Sequence, residues 1–135
     1  MIDKMATIHQ FLLVPGTALL TALGGSYIVI DRVPAGFTNS HPLIVMTTET
    51  AGAHVSGADY MDVVMFRCYG GSKLDSDARA IHAALYDRLL LPGQTTLAAG
   101  NIKQAFYMND FAGPDDPVQG WPNHIGRYQI HTEGL

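Results

Sequence analysis

Charge is scarce in this sequence. Only 15% of its 135 residues are Asp, Glu, Lys or Arg, where an average globular domain carries roughly 25%. The net charge is −4 and no Lys/Arg cluster exists, which argues against tight nucleic-acid binding. An acidic surface would instead let DNA slide past without sticking. Cysteine is nearly absent: Cys68 stands alone, so no internal disulfide can form and a reducing compartment fits. Its place in an apolar strand reads as a small buried hydrophobe. Long hydrophobic runs are missing as well. The apolar stretch at 11–14 is interrupted by Pro15-Gly16 and is far too short to span a bilayer. The N-terminus shows no basic region and no cleavage site, so assembly in a cytoplasm is expected.

Catalytic and metal-binding patterns are equally sparse. Histidines stand at 9, 41, 54, 82, 124 and 131. None makes a helical His-x-x-x-His pair or joins a cysteine or carboxylate at ligand spacing. Gly70-Gly71 follows a strand and precedes a helix, yet Gly-Gly-Ser-Lys has neither the P-loop nor the dinucleotide spacing. Asp115-Asp116 lies between prolines with few oxygen ligands nearby, which suits a solvated turn better than calcium. No serine sits in a nucleophile elbow. The expectation is therefore a non-enzymatic protein with no cofactor and no metal.

What the chain does have is one strongly patterned stretch, residues 60–91. Val63, Val64, Phe66 and Tyr69 are residue types that fit a pleated surface. Met61, Val63, Met65, Arg67 and Tyr69 would share one face; Tyr60, Asp62, Val64, Phe66 and Cys68 the other. Both faces are largely apolar, which predicts a central strand covered on both sides, with Asp62 and Arg67 near strand ends in reach of water. Gly70-Gly71 then turns the chain. Ser72, with Asp75 three residues on, resembles a capping box. Ala78, Ile81, His82, Leu85 and Leu89 recur at helical spacing, and Pro92-Gly93 ends the helix. His82, on the apolar stripe, reads as a hydrogen-bonded core or interface histidine.

The remaining elements fall around this unit. A first helix runs from a cap at Asp3 to about Leu13, and a second occupies 17–23 before Gly24-Gly25. Strands are predicted at 27–30, 43–48, 102–108 and 125–132. Residues 50–59 and 109–123 are predicted as long, protruding loops, because ordered loops of that length usually carry function. The order helix, strand, strand, strand, helix, strand, strand indicates a single α+β domain over 1–135. Its sheet would be mostly antiparallel, of about five strands, with helices on one face. The strand–helix–strand passage at 60–108 would make it mixed if it crosses over. High apolar content, 47%, with so little charge points to surface buried between subunits.

Three features, taken in order, resemble the tail-terminator or tail-completion proteins of long-tailed bacteriophages. Tyr27-Ile28-Val29-Ile30 leads into Asp31-Arg32-Val33-Pro34 and then the Pro-led strand Pro42-Leu43-Ile44-Val45. The strand at 63–69 turns into the Ala-rich helix at 78–89. Gly126-Arg127-Tyr128-Gln129-Ile130 forms a closing strand. The resemblance spans nearly the whole chain.

The resemblance implies a subunit of a ring, a hexamer in that family, at the head-proximal end of the tail tube in the virion neck. Such a ring ends tube growth and joins the tail to the head. The implied partners are further copies of the chain, the major tail tube protein and the head-completion or neck proteins, with genome DNA passing through the channel. A neck stopper protein is the nearest alternative, and a small enzymatic or ligand-binding domain a more distant one. The long loops supply the candidate interface residues: His54, Val55, Asp59, Asp115, Asp116 and Trp121. Tryptophan is enriched at interface hot spots, although Trp121 equally suits local loop packing.

Overall fold

A computed structural model describes residues 4–56, 59–90, 95–97, 100–114 and 120–133. Helices α1 (Lys4–Leu12) and α2 (Ala18–Leu23) precede strands β1 (Ile28–Ile30), β2 (Leu43–Ser56) and β3 (Asp59–Tyr69). Helix α3 (Asp75–Leu89) follows, then β4 (Thr95–Leu97), β5 (Gly100–Ala112) and β6 (Asn123–Glu133). The six strands form one sheet in the order β1-β2-β3-β6-β5-β4. β1 runs parallel to β2 and every other pair is antiparallel. The sheet is therefore mixed and the class is α+β. Because β3 and β5 are both antiparallel to β6, they run parallel to each other, and α3 carries the chain across β6 between them. The short strand β4 lies in a stretch whose sequence reads as loop.

Local chemistry explains the element ends. The Thr17 hydroxyl accepts from the Leu20 amide at 3.3 Å and opens α2, and the Gly24 amide returns to the Leu20 and Thr21 carbonyls to close it. At the start of α3 the expected Ser72–Asp75 box does not form. The helix begins at Asp75 with Leu74 as the uncapped flanking residue. Ser72 Oγ instead accepts from the Leu74 amide at 3.1 Å and donates to Asp77 Oδ2 at 2.6 Å. The chain needs the extra residues to turn out of the sheet. Gly71 has φ +76°, and its Cα faces the backbone of His41 and Pro42 too closely for any side chain.

All three helices pack on one sheet face. Ile8, Phe11 and Leu12 of α1, Leu19 and Leu23 of α2, and Ile81, Leu85 and Leu89 of α3 meet Ile44, Met46, Val64, Phe66, Cys68, Tyr128 and Ile130. Burying each such aliphatic or aromatic side chain contributes about 1.5–3 kcal/mol. Two side-chain bonds stitch the helices down. His9 Nε2 donates to the Ile28 carbonyl at 2.7 Å, and Arg88 Nη2 donates to the Phe11 carbonyl at 2.9 Å.

Among the described residues, the opposite face is covered only at one end. The segment 31–42 folds over Leu43, Val45 and Tyr69, with Val29, Val33, Phe37 and Trp121 packed around them. Met61, Val63, Met65 and Arg67 are half-buried. The strand faces follow the expected alternation, but full cover on both sides is not found among the described residues. Asp62 also departs from expectation: it is 2% exposed. β3 starts at Asp59 and pairs with β6 along its whole length, so Asp62 sits within the ladder rather than at its end.

The predicted loops are shorter than expected. β2 and β3 stay paired through the Ser56–Asp59 rung, turning most of the 50–59 segment into a hairpin arm. β5 continues to Ala112 and β6 starts at Asn123, which leaves 113–122 as the connection. The β3–β6 ladder is unbroken, whereas β2 shifts register after Thr48, Thr50 and His54, and β5 after Ile102 and Tyr107.

Candidate functional site

The uncovered part of the sheet is the first candidate. Strand pairing places Phe106 opposite Gln129, Asn109 opposite Arg127 and Phe111 opposite Ile125, all on the face away from the helices. Phe106 and Phe111 are each 41% exposed. Met108, the residue at the β5 bulge, is 44% exposed. With half-buried Met61, Val63 and Met65 on β3, these side chains make an apolar band crossed by Arg127 and Gln129. Exposed aromatic and methionine side chains on a sheet face are suited to a protein partner.

At the covered end, Trp121 is half-buried. Its ring meets Phe37 edge-on at 5.3 Å between centroids and Tyr69 at 6.3 Å. Phe37 in turn meets His41 at 5.0 Å, and His41 stacks on Tyr27 at 3.7 Å. Trp121 therefore clamps the 31–42 segment onto the sheet, the local-packing arrangement. Beside this clamp lies a cavity of about 210 Å³ lined by Asp31, Arg32, Thr47, Met65, Arg67 and Tyr69.

On the helix face, three elements bring together a polar cluster that sequence spacing does not reveal. His82 comes from α3, Asp110 from β5 and His124 from β6. His124 Nε2 lies 2.5 Å from Asp110 Oδ2, and His82 Nδ1 lies 3.9 Å from the same oxygen. Tyr128 Oη is 2.9 Å from His82 Nε2. The Tyr107 hydroxyl donates to Asp110 Oδ1. Tyr107 also packs edge-on against Tyr86 and Tyr128, at 5.5 and 5.7 Å. Hydrogen bonds from Tyr107 and then His124 hold the Asp110 carboxyl below its usual range. Burial lowers the pKa of His82, outweighing the attraction of Asp110.

No protein-family model matches the sequence, and no curated protein sequence matches it. Among solved structures, one described as the virion of a native gene transfer agent particle contains a similar chain. The TM-score is 0.71 at 21% identity, covering 97% of this chain and 95% of that one. The two chains share a fold. The likeness extends over nearly the whole of both chains.

Of the residues singled out from the sequence, His54 and Val55 fall in β2 and Asp59 in β3. His54 pairs with Tyr60, and Asp59 pairs with both Ser56 and Glu133. All three thus belong to the hairpin arm rather than to a loop. Their side chains, and Asp115 and Asp116 altogether, lie outside the described residues. Sequence reasoning did not anticipate the apolar band on β5 or the polar cluster. One signal for the cluster was present: Gly126 interrupts the β6 pattern, and an isolated glycine in a strand marks a close approach. A Cβ at that position would collide with the His82 ring.

Proposed function

We propose that this chain is a structural protein of a phage-like virion, and within it the tail terminator: a ring, hexameric by resemblance, that caps the head-proximal end of the tail tube. The observation that carries the virion reading is the end-to-end likeness to a chain of the gene transfer agent particle. The terminator role rests on the sequence resemblance together with the surface just described. An apolar band on one sheet face and the β2–β3 hairpin end give a subunit two unlike patches. A closed ring with rotational symmetry needs that heterologous pairing. The acidic balance, −4 per chain, suits a channel through which DNA must slide.

In this reading the arm and the 113–122 connection reach the neighbouring subunit, the tube protein or the neck. The ring adds to the last layer of tube subunits, stops further addition and offers its other side to the head. None of these steps needs bond chemistry; all need complementary surfaces.

The test is electron microscopy of particles made without the protein. Overlong tails that fail to join heads are expected. Filled heads that leak DNA, with tails of normal length, would instead indicate a neck stopper. Native mass spectrometry of the purified chain, expected to show a six-fold species, checks the ring separately.

A further inference from the structure

We propose that His82, Asp110 and His124 form a binding site for one divalent transition-metal ion of the zinc or cobalt(II) class. The site is complete within one chain and does not need an assembly. Two imidazoles and a carboxylate are a donor set these borderline-soft ions take, leaving a further position for water. One donor atom from each residue lies within 4.8 Å of the others. His124 Nε2 and His82 Nδ1 both converge on Asp110 Oδ2.

Two of the three atoms turned away from this point are already held, and the third, His124 Nδ1, is buried with no hydrogen-bond partner among the described residues. Tyr128 Oη engages His82 through the opposite ring nitrogen, Nε2, at 2.9 Å, so Nδ1 is left for an ion. Tyr107 engages the carboxylate through Oδ1, which leaves Oδ2. Partners of this kind fix ligand orientation in metal sites. Both imidazoles are buried, His124 at 7% exposure, while the Asp110 side chain is 31% exposed and gives a path of entry. Gly126 supplies the space for the His82 ring.

Without an ion, the His124 Nε2 proton bridges to Asp110. An ion takes the place of that proton at Nε2, and the neutral ring carries its one proton on Nδ1 instead, exchanged by way of solvent. The Nε2–Oδ2 pair then opens from 2.5 Å to about 3.3 Å, as two ligands about 2.0–2.2 Å from one tetrahedral ion require. That is a small rotation of two side chains on fixed strands.

The experiment is titration of the chelator-treated full chain with Co²⁺, followed by visible absorption, and with Zn²⁺, followed by native mass spectrometry. One ion per chain is expected. Asp110→Asn should weaken affinity at least about 100-fold, and Tyr107→Phe about 10-fold, the latter by releasing the carboxylate it orients. Circular dichroism of the apo variants checks folding; Tyr107 is exposed at the surface, so Tyr107→Phe supplies the answer if Asp110→Asn does not fold. A wild-type chain that takes up no stoichiometric ion would overturn the site. So would undiminished affinity in folded Asp110→Asn, or in Tyr107→Phe where that variant stands alone.

Discussion

The Arg88 guanidinium lies over the Phe11 ring, 3.8 Å from its centroid, and the same side chain donates to the Phe11 carbonyl at 2.9 Å. One residue of α3 thus grips both the ring and the backbone at the end of α1. Arg88→Lys keeps the charge but lacks the planar fork that stacks and donates at once. We expect Arg88→Lys to lose about 1 kcal/mol and Arg88→Ala about 1–3 kcal/mol of unfolding free energy, read from urea melts. Equal stability of Arg88→Ala and wild type would show that α1 is held by its apolar face alone.

Trp121→Ala should loosen the 31–42 segment. The ring is only half-buried, so a loss of about 1–3 kcal/mol is expected, less than for a fully buried tryptophan. The measurement is the thermal midpoint of the unassembled chain. A fall there assigns Trp121 to packing within the subunit. An unchanged midpoint with failed ring assembly would assign it to the interface.

Gly126→Ala places a methyl group against the His82 ring and beside Tyr128. Overpacking of this kind costs about 1–3 kcal/mol. In a His82→Ala background the same substitution should cost much less, because the obstructing ring is gone. A double-mutant cycle in urea reads the coupling; strict additivity would mean that the strand, not the ring, resists the methyl.

Cys68 is fully buried and burial pushes its thiol well above the ordinary cysteine range. The reactive thiolate is therefore withheld in the folded protein. Alkylation at pH 8 should proceed only through opening of the sheet, and become fast in denaturant. Prompt labelling of the native chain would contradict the burial.

Much of this fold was legible because its central elements obey single periodicities. The alternation from Met61 to Tyr69 assigns both strand faces, and the 3.6-residue stripe from Ala78 to Leu89 identifies the buried side of α3. The lengths of β2 and β5 were not legible. Thr50, Gly52 and Gly57, or Asn109, Gly113 and Pro114, read as turn chemistry, yet pairing to β3 and β6 carries the strands well into both stretches. Tertiary pairing there outweighs local preference. The polar cluster escaped for a different reason. His82, Asp110 and His124 are brought together by the crossover of α3 over β6, and contact across a crossover leaves no fixed spacing in the chain. Asp62 shows the same limit: its burial follows from the length of β6, which Asp62 itself does not encode.

The sheet's edges carry a last consequence. Beyond Ile102, the outer side of β5 has no strand beside it among the described residues, and β2 is flanked by β1 only at Ile44, Val45 and Met46. Bare edges of this length would invite strand after strand to dock, the route by which sheets grow into fibres. Yet each is broken by irregular rungs, at Thr48, Thr50 and His54 on one and at Tyr107 on the other. A partner can add locally beside such an edge, but cannot copy it indefinitely. Extension is checked in the backbone itself, so open-ended strand addition is limited at both edges.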